Sequence, residues 1–112
     1  MKTKIFLFLS LFLTGCEGCK IDFAITISNR TKAPIEAYAA GENLGVVSGN
    51  SVQNFTVEAS PENGPSSYSN DYVQVDFVFR NINTGKTSRV FQHTLRENKT
   101  ETIEVRESDF LY

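Results

Sequence analysis

Ile21, Phe23, Ile25 and Ile27 alternate with Asp22, Ala24, Thr26 and Ser28, and the alternation is strict. A period of two puts every apolar side chain on one face of an extended strand and every small or polar one on the other. The pattern returns at Val73, Val75, Phe77 and Phe79, opposed by Gln74, Asp76 and Arg80. Between and after these two runs lie weaker ones: Ile35 to Ala40, Leu44 to Val47, Val52 to Ala59, Ser88 to Leu95 and Thr100 to Arg106. Phe55, Val57 and Ala59 share a face, as do Phe91, His93 and Leu95, and Ile103 and Val105. Tyr38 falls opposite Ile35 and Ala37. Polar turns separate the runs at about the 8–12-residue spacing of all-β domains. They are Asn29 to Lys32, Gly41 to Asn43, Ser48 to Asn50, Asn83 to Lys86 and Arg96 to Lys99.

Seven such strands in residues 21–112 predict an all-β domain, an antiparallel β-sandwich with one face of each strand buried. A small β-barrel is the alternative. Ser60 to Asp71 is the longest irregular stretch, rich in Pro, Gly, Ser and Asn, and reads as a loop joining the two halves. Residues 107–112 form a short tail.

The first 16 residues follow different rules. Lys2 and Lys4 precede an apolar run from Ile5 to Leu13, broken only by Ser10. About nine apolar residues cannot span a bilayer, which needs about 20, but they suit the core of an export signal. Leu13-Thr14-Gly15-Cys16 then replaces the usual small-residue cleavage site. This segment resembles the signal and lipobox of bacterial lipoproteins. The resemblance implies cleavage between Gly15 and Cys16, and a diacylglyceryl group (palmitate or similar chains) on the Cys16 sulfur. It also implies that residues 1–15 are a signal peptide and 16–20 a lipidated tether. Two acyl chains suffice for stable anchoring. Glu17 follows the lipidated position where inner-membrane lipoproteins commonly carry Asp, which favours the outer membrane. In a Gram-positive cell the same signal would leave the domain on the outer face of the cell membrane. Glu17 to Lys20 reach roughly 17 Å from Cys16 when extended.

Without residues 1–15, 97 residues remain, enough for one domain. Nine basic residues then face thirteen acidic ones, a net charge of −4. With no Lys/Arg cluster, nucleic acid is excluded as a partner, and lipid, not charge, must hold the chain to a membrane. Cys16-Glu17-Gly18-Cys19 has neither a thioredoxin-like context nor a second Cys/His pair, and the lipidation that the resemblance implies would consume its first sulfur, so a redox or metal role is not expected. Cys19 is left as an odd thiol.

Residues 25–57 resemble the opening of small immunoglobulin-like or fibronectin type III-like domains. They share a strand, Asn-x-Thr, Pro-Ile, a Gly hairpin and a Gly-Asn-Ser turn. The Trp and paired cysteines of antibody domains are missing.

The chain offers no catalytic set. His93 stands between apolar neighbours and reads as a core histidine, since a relay needs a nucleophile and an acid beside it. Gly85-Lys86-Thr87 lacks the earlier Gly and the helix of a phosphate loop. Asn81, Asn83 and Gly85 lack the closing Glu of a calcium loop. Glu101, Glu104 and Glu107 read as a solvated strand border. Asn29, Asn54 and Asn98 head Asn-x-Thr sequons, relevant only to a eukaryotic source.

No enzyme activity, cofactor or metal is expected. The possible binding residues are Tyr68, Tyr72 and Tyr38, with Phe110 and Tyr112 also unassigned to the core. The expectation is a lipid-anchored, non-catalytic envelope protein that binds an unknown envelope protein through a strand edge or the 60–71 loop. A glycan or small-ligand binder, or an inhibitor of a secreted enzyme, is the alternative.

Overall fold

The computed structural model describes residues 20–63 and 70–110. Its seven strands are β1 (Ile21–Asn29), β2 (Ile35–Ala39), β3 (Glu42–Val47), β4 (Ser51–Ala59), β5 (Tyr72–Asn81), β6 (Phe91–Arg96) and β7 (Glu101–Val105). A three-stranded sheet has the order β4-β1-β7, and a four-stranded sheet the order β3-β2-β5-β6. The two sheets remain open, so the fold is a sandwich and not a closed barrel.

The alternating side chains meet between the sheets. Phe23, Ile25 and Ile27 of β1 and Phe77 and Phe79 of β5 are fully buried, with Ile35, Leu95, Ile103 and Val105 completing the centre. Each such side chain contributes about 1.5–3 kcal/mol by leaving water. Phe79 and Phe91 pack edge to face at 5.3 Å.

Every ladder is antiparallel except one: β7 runs parallel to β1, with Ile25 opposite Glu101 and Asn29 opposite Val105. The antiparallel sandwich read from the sequence thus carries one parallel pair. The β6–β7 connection changes sheets at the end where β1 begins, so β7 enters beside β1 running the same way. Chain entry at Lys20 and the last described residue, Phe110, therefore lie at opposite ends of the strands.

Three of the boundaries that differ from the sequence reading have a local cause. Ala40 is not in β2. It and Gly41 have φ of 51° and 86°, the pair of left-handed residues that a two-residue hairpin requires, so β3 starts at Glu42. Ser88, Arg89 and Val90 are not in β6. The Ser88 hydroxyl accepts the Phe79 N–H at 2.9 Å, taking a place that a backbone carbonyl fills in a regular ladder. The Arg89 N–H turns instead to the Asp109 carbonyl at 3.0 Å. Asp109 belongs to a short 3-10 turn, Glu107–Phe110, which buries Phe110 at the sandwich end.

At that same end the Asn-x-Thr segment is not the solvated turn its composition implies. Asn29 and Thr31 are buried. The Asn29 amide nitrogen lies 2.8 Å from the Ala33 carbonyl and 3.1 Å from those of Val47 and Ser48. Its carbonyl oxygen accepts from the N–H and hydroxyl of Thr31 at 2.9 and 2.7 Å. One side chain thus ties the β1–β2 crossing to the β3–β4 turn. The Asn50 N–H adds a bond to the Thr31 carbonyl at 2.8 Å. Gly49 allows this approach, since a Cβ there would stand 2.2 Å from the Lys32 carbonyl oxygen.

Candidate functional site

Among the described residues, two open sheets leave four edges, and three of them are protected. β3 carries Glu42 and a bulge, with Leu44 the extra residue between Asn43 and Gly45. The approach to β6 is held by the 3-10 turn, where Arg89 pairs with Asp109 at 2.9 Å and stacks on Phe91 at 3.9 Å. β7 has five residues, two of them Glu, flanked by charges. Glu101 pairs with Lys99 at 3.6 Å, and Glu104 with Arg30 at 3.3 Å and with Arg106. The Lys32 N–H reaches Glu107 at 3.2 Å. Charge, bulges, short length and covering segments are the devices by which sheets avoid pairing with other chains.

Among the described residues, β4 has no bulge, no cover and little charge. It is nine residues long, pairs with β1 without a register break from Ser51 to Ala59, and contains no Pro. Its only charged residue is Glu58. Val52, Gln53, Asn54 and Thr56 are exposed, Val52 to 62%. Gln53 and Phe55 occupy the alternation that should face the core, yet Gln53 is exposed and Phe55 only half-buried. The reason lies across the gap in β3. Gly45, with φ of 140°, has no side chain to cover this side, and a Cβ there would come within 3.2 Å of the Phe55 ring. Among the described residues, β4 therefore offers an unpaired outer backbone row and an incompletely covered aromatic ring.

Sequence reasoning named strand edges in general and not this one. A signal was present: Asn43 to Val57, fifteen residues between Glu42 and Glu58, is the longest charge-free stretch of the chain.

The tyrosines do not form one site. Tyr38 and Tyr72 both lie on the outer face of the four-stranded sheet. Tyr38 sits opposite Val78, six residues along β5 from Tyr72, a separation of about 20 Å. The Tyr38 hydroxyl donates to Glu36 at 3.0 Å; Arg80 and Asn43 reach the same carboxylate at 3.1 and 3.3 Å. The Tyr38 hydrogen bond, then the Arg80 charge and the remaining bonds, hold the Glu36 pKa below its ordinary value against the opposing effect of burial. Tyr72 lies under Arg96, 5.8 Å from ring centre to guanidinium carbon. Tyr68, Tyr112, Gly15, Cys16 and Cys19 lie outside the described residues.

His93 is half-buried and meets Phe77 edge on at 6.3 Å. Among the described residues no three His, Cys, Asp or Glu side chains are placed to hold a metal ion, and no helix is long and apolar enough to cross a membrane. Of the three sequon asparagines, Asn29 has its amide engaged in the buried lock, while Asn54 and Asn98 are exposed.

A cleft of about 620 Å³ opens where the chain enters, with Ala39, Leu44, Val57, Ala59 and Val75 lining it and Lys20, Asp22, Glu42 and Glu58 also contributing. Its wall includes Thr56 to Ala59, the last residues of β4. Compared with protein-family models, with curated proteins and with solved structures, the chain finds no match in any of the three.

Proposed function

We propose that this is a lipid-anchored envelope protein whose β-sandwich is non-catalytic and works by accepting a strand from a partner along β4. The observation that carries the reading is the uninterrupted, nine-residue edge between Ser51 and Ala59, with a single charge, beside three protected edges. Strand addition draws its affinity from main-chain hydrogen bonds and its specificity from alternate side chains. The lipobox-like Leu13 to Cys16 supplies the anchor in this reading.

Two substitutions in the full-length chain test the two halves. Cys16→Ser abolishes palmitate labelling and releases the protein from the membrane fraction; retention of either property refutes the anchor. Gln53→Lys places a charge on the edge at an exposed position, where the cost to stability stays within about 0.5 kcal/mol. The thermal midpoint is then unchanged, while in-cell cross-linking of the chain to any partner falls. Cross-linking at the wild-type level refutes the use of β4.

A further inference from the structure

We infer that the strand added to β4 is β4 of a second copy, antiparallel, about a two-fold axis through Phe55. The inference rests on the strand-addition reading above and names its partner.

The strand's own pattern selects this arrangement. Residues whose backbone groups face outward all have the same parity, so antiparallel self-pairing must be centred on a residue, not between two. Phe55 is the midpoint of Ser51–Ala59. An axis there pairs all nine residues with all nine of the other copy: Ser51 with Ala59, Val52 with Glu58, Gln53 with Val57, Asn54 with Thr56. Glu58 meets an uncharged residue, and the two Glu58 carboxylates end up about 20 Å apart along the strands. Parallel self-pairing in register would set them side by side, the like-charge arrangement that destabilises a sheet. The two half-buried Phe55 rings face each other at the axis, on the side left open by Gly45.

The assembly closes at two. Self-pairing consumes both β4 edges and makes a six-stranded sheet, β7-β1-β4-β4-β1-β7. Its outer edges are the charged β7 strands, and an isologous contact leaves nothing to propagate. The axis stands normal to the sheet. Two chains tethered to one leaflet, related by an axis along the membrane normal, meet this geometry with their Lys20 residues at equal height.

The test is site-directed cross-linking of the full-length, lipidated protein in its own membranes, in a Cys19→Ser background. Val52→Cys and Glu58→Cys chains are made separately and together, and treated with a short bifunctional maleimide. The expected result is a cross-linked dimer only when the two are mixed. In a second arm, Val52→Glu sets Glu against Glu58 twice per dimer and lowers the dimer fraction about three- to tenfold. Glu58→Lys in the same chain restores it. Cross-linking by either cysteine chain alone, or a Val52→Glu dimer at wild-type level, overturns the inference. If no copy-to-copy product forms but Gln53→Lys still removes a different envelope protein, self-pairing is wrong and strand addition stands. If Gln53→Lys changes nothing either, both fall.

Discussion

The two ends of the sandwich are built on opposite principles. At the far end, where β1 stops and β4 starts, buried polar groups fix the chain. Asn29 and Thr31 satisfy one another and three carbonyls, Gly49 lets two turns touch, and the 3-10 turn pins Arg89 and Phe110. At the end where the chain enters, β2 and β3 are joined through Ala40 in a left-handed conformation, a cleft parts the sheets, and the β4–β5 crossing is tied by the Glu62 N–H to the Tyr72 carbonyl and by exposed bonds from the Tyr72 N–H to Asn63 and the Gln74 N–H to Glu62. Connected hydrogen bonds in a buried site hold one geometry, because each lost partner strands another polar group. The far end is therefore the fixed frame, and freedom to adapt belongs to the entry end.

Substitutions can break that contrast or sharpen it. The largest effect is expected from Asn29→Ala, which removes the donor shared by the carbonyls of Ala33, Val47 and Ser48 and the acceptor for Thr31; stability measured in urea falls by about 4 kcal/mol. Asn29→Asp keeps the shape but turns a carboxylate oxygen toward those carbonyls, and is no better tolerated. Gly49→Ala follows, at about 3 kcal/mol, because the Lys32 backbone must move to admit a methyl group. At the entry end the sign reverses. Ala40→Gly removes the left-handed penalty and stabilises by about 1 kcal/mol, seen as a raised thermal midpoint. A loss there would show that the Ala40 methyl group does packing that the contrast assigns only to the other end.

The smallest effect is on pH dependence, and it belongs to neither end. Glu36 has its folded pKa below the ordinary glutamate value, so the unfolded chain binds the proton first as pH falls. Its contribution is present above that ordinary value and is lost as pH drops through the folded one. Glu36→Gln flattens this part of an acid-denaturation curve. An unchanged curve would show that its bonds to Tyr38 and Arg80 do not distinguish the charged form.

What could be read from the sequence, and what could not, follows the range of the forces involved. The alternation in β1 and β5 is local, so it placed Phe23, Ile25, Val75 and Phe77 inward without further information. Neighbour relations are not local. Period two says which way Ile103 points but not that β7 lies parallel to β1, about 75 residues away in sequence. Asn29 looked like turn chemistry because nothing near it predicts burial; the Val47 and Ser48 carbonyls and Gly49 that enclose it arrive from another hairpin. Ala40 was misplaced because alanine rarely takes positive φ. The β4 edge needed both views: the charge-free run is in the sequence, but its standing at a sheet border comes from the topology.

The parallel β1/β7 pair has a mechanical consequence. Tension applied between Lys20 and Phe110 pulls β1 from its start and β7 from its finish, along adjacent strands and in opposite directions. All the hydrogen bonds joining them then carry the load together, in shear, and none can open ahead of the rest. Pulled between Lys20 and Phe110 in a single-molecule apparatus, the domain yields at a higher force than when gripped at Tyr72 and Arg96, where β5 and β6 peel apart one bond at a time.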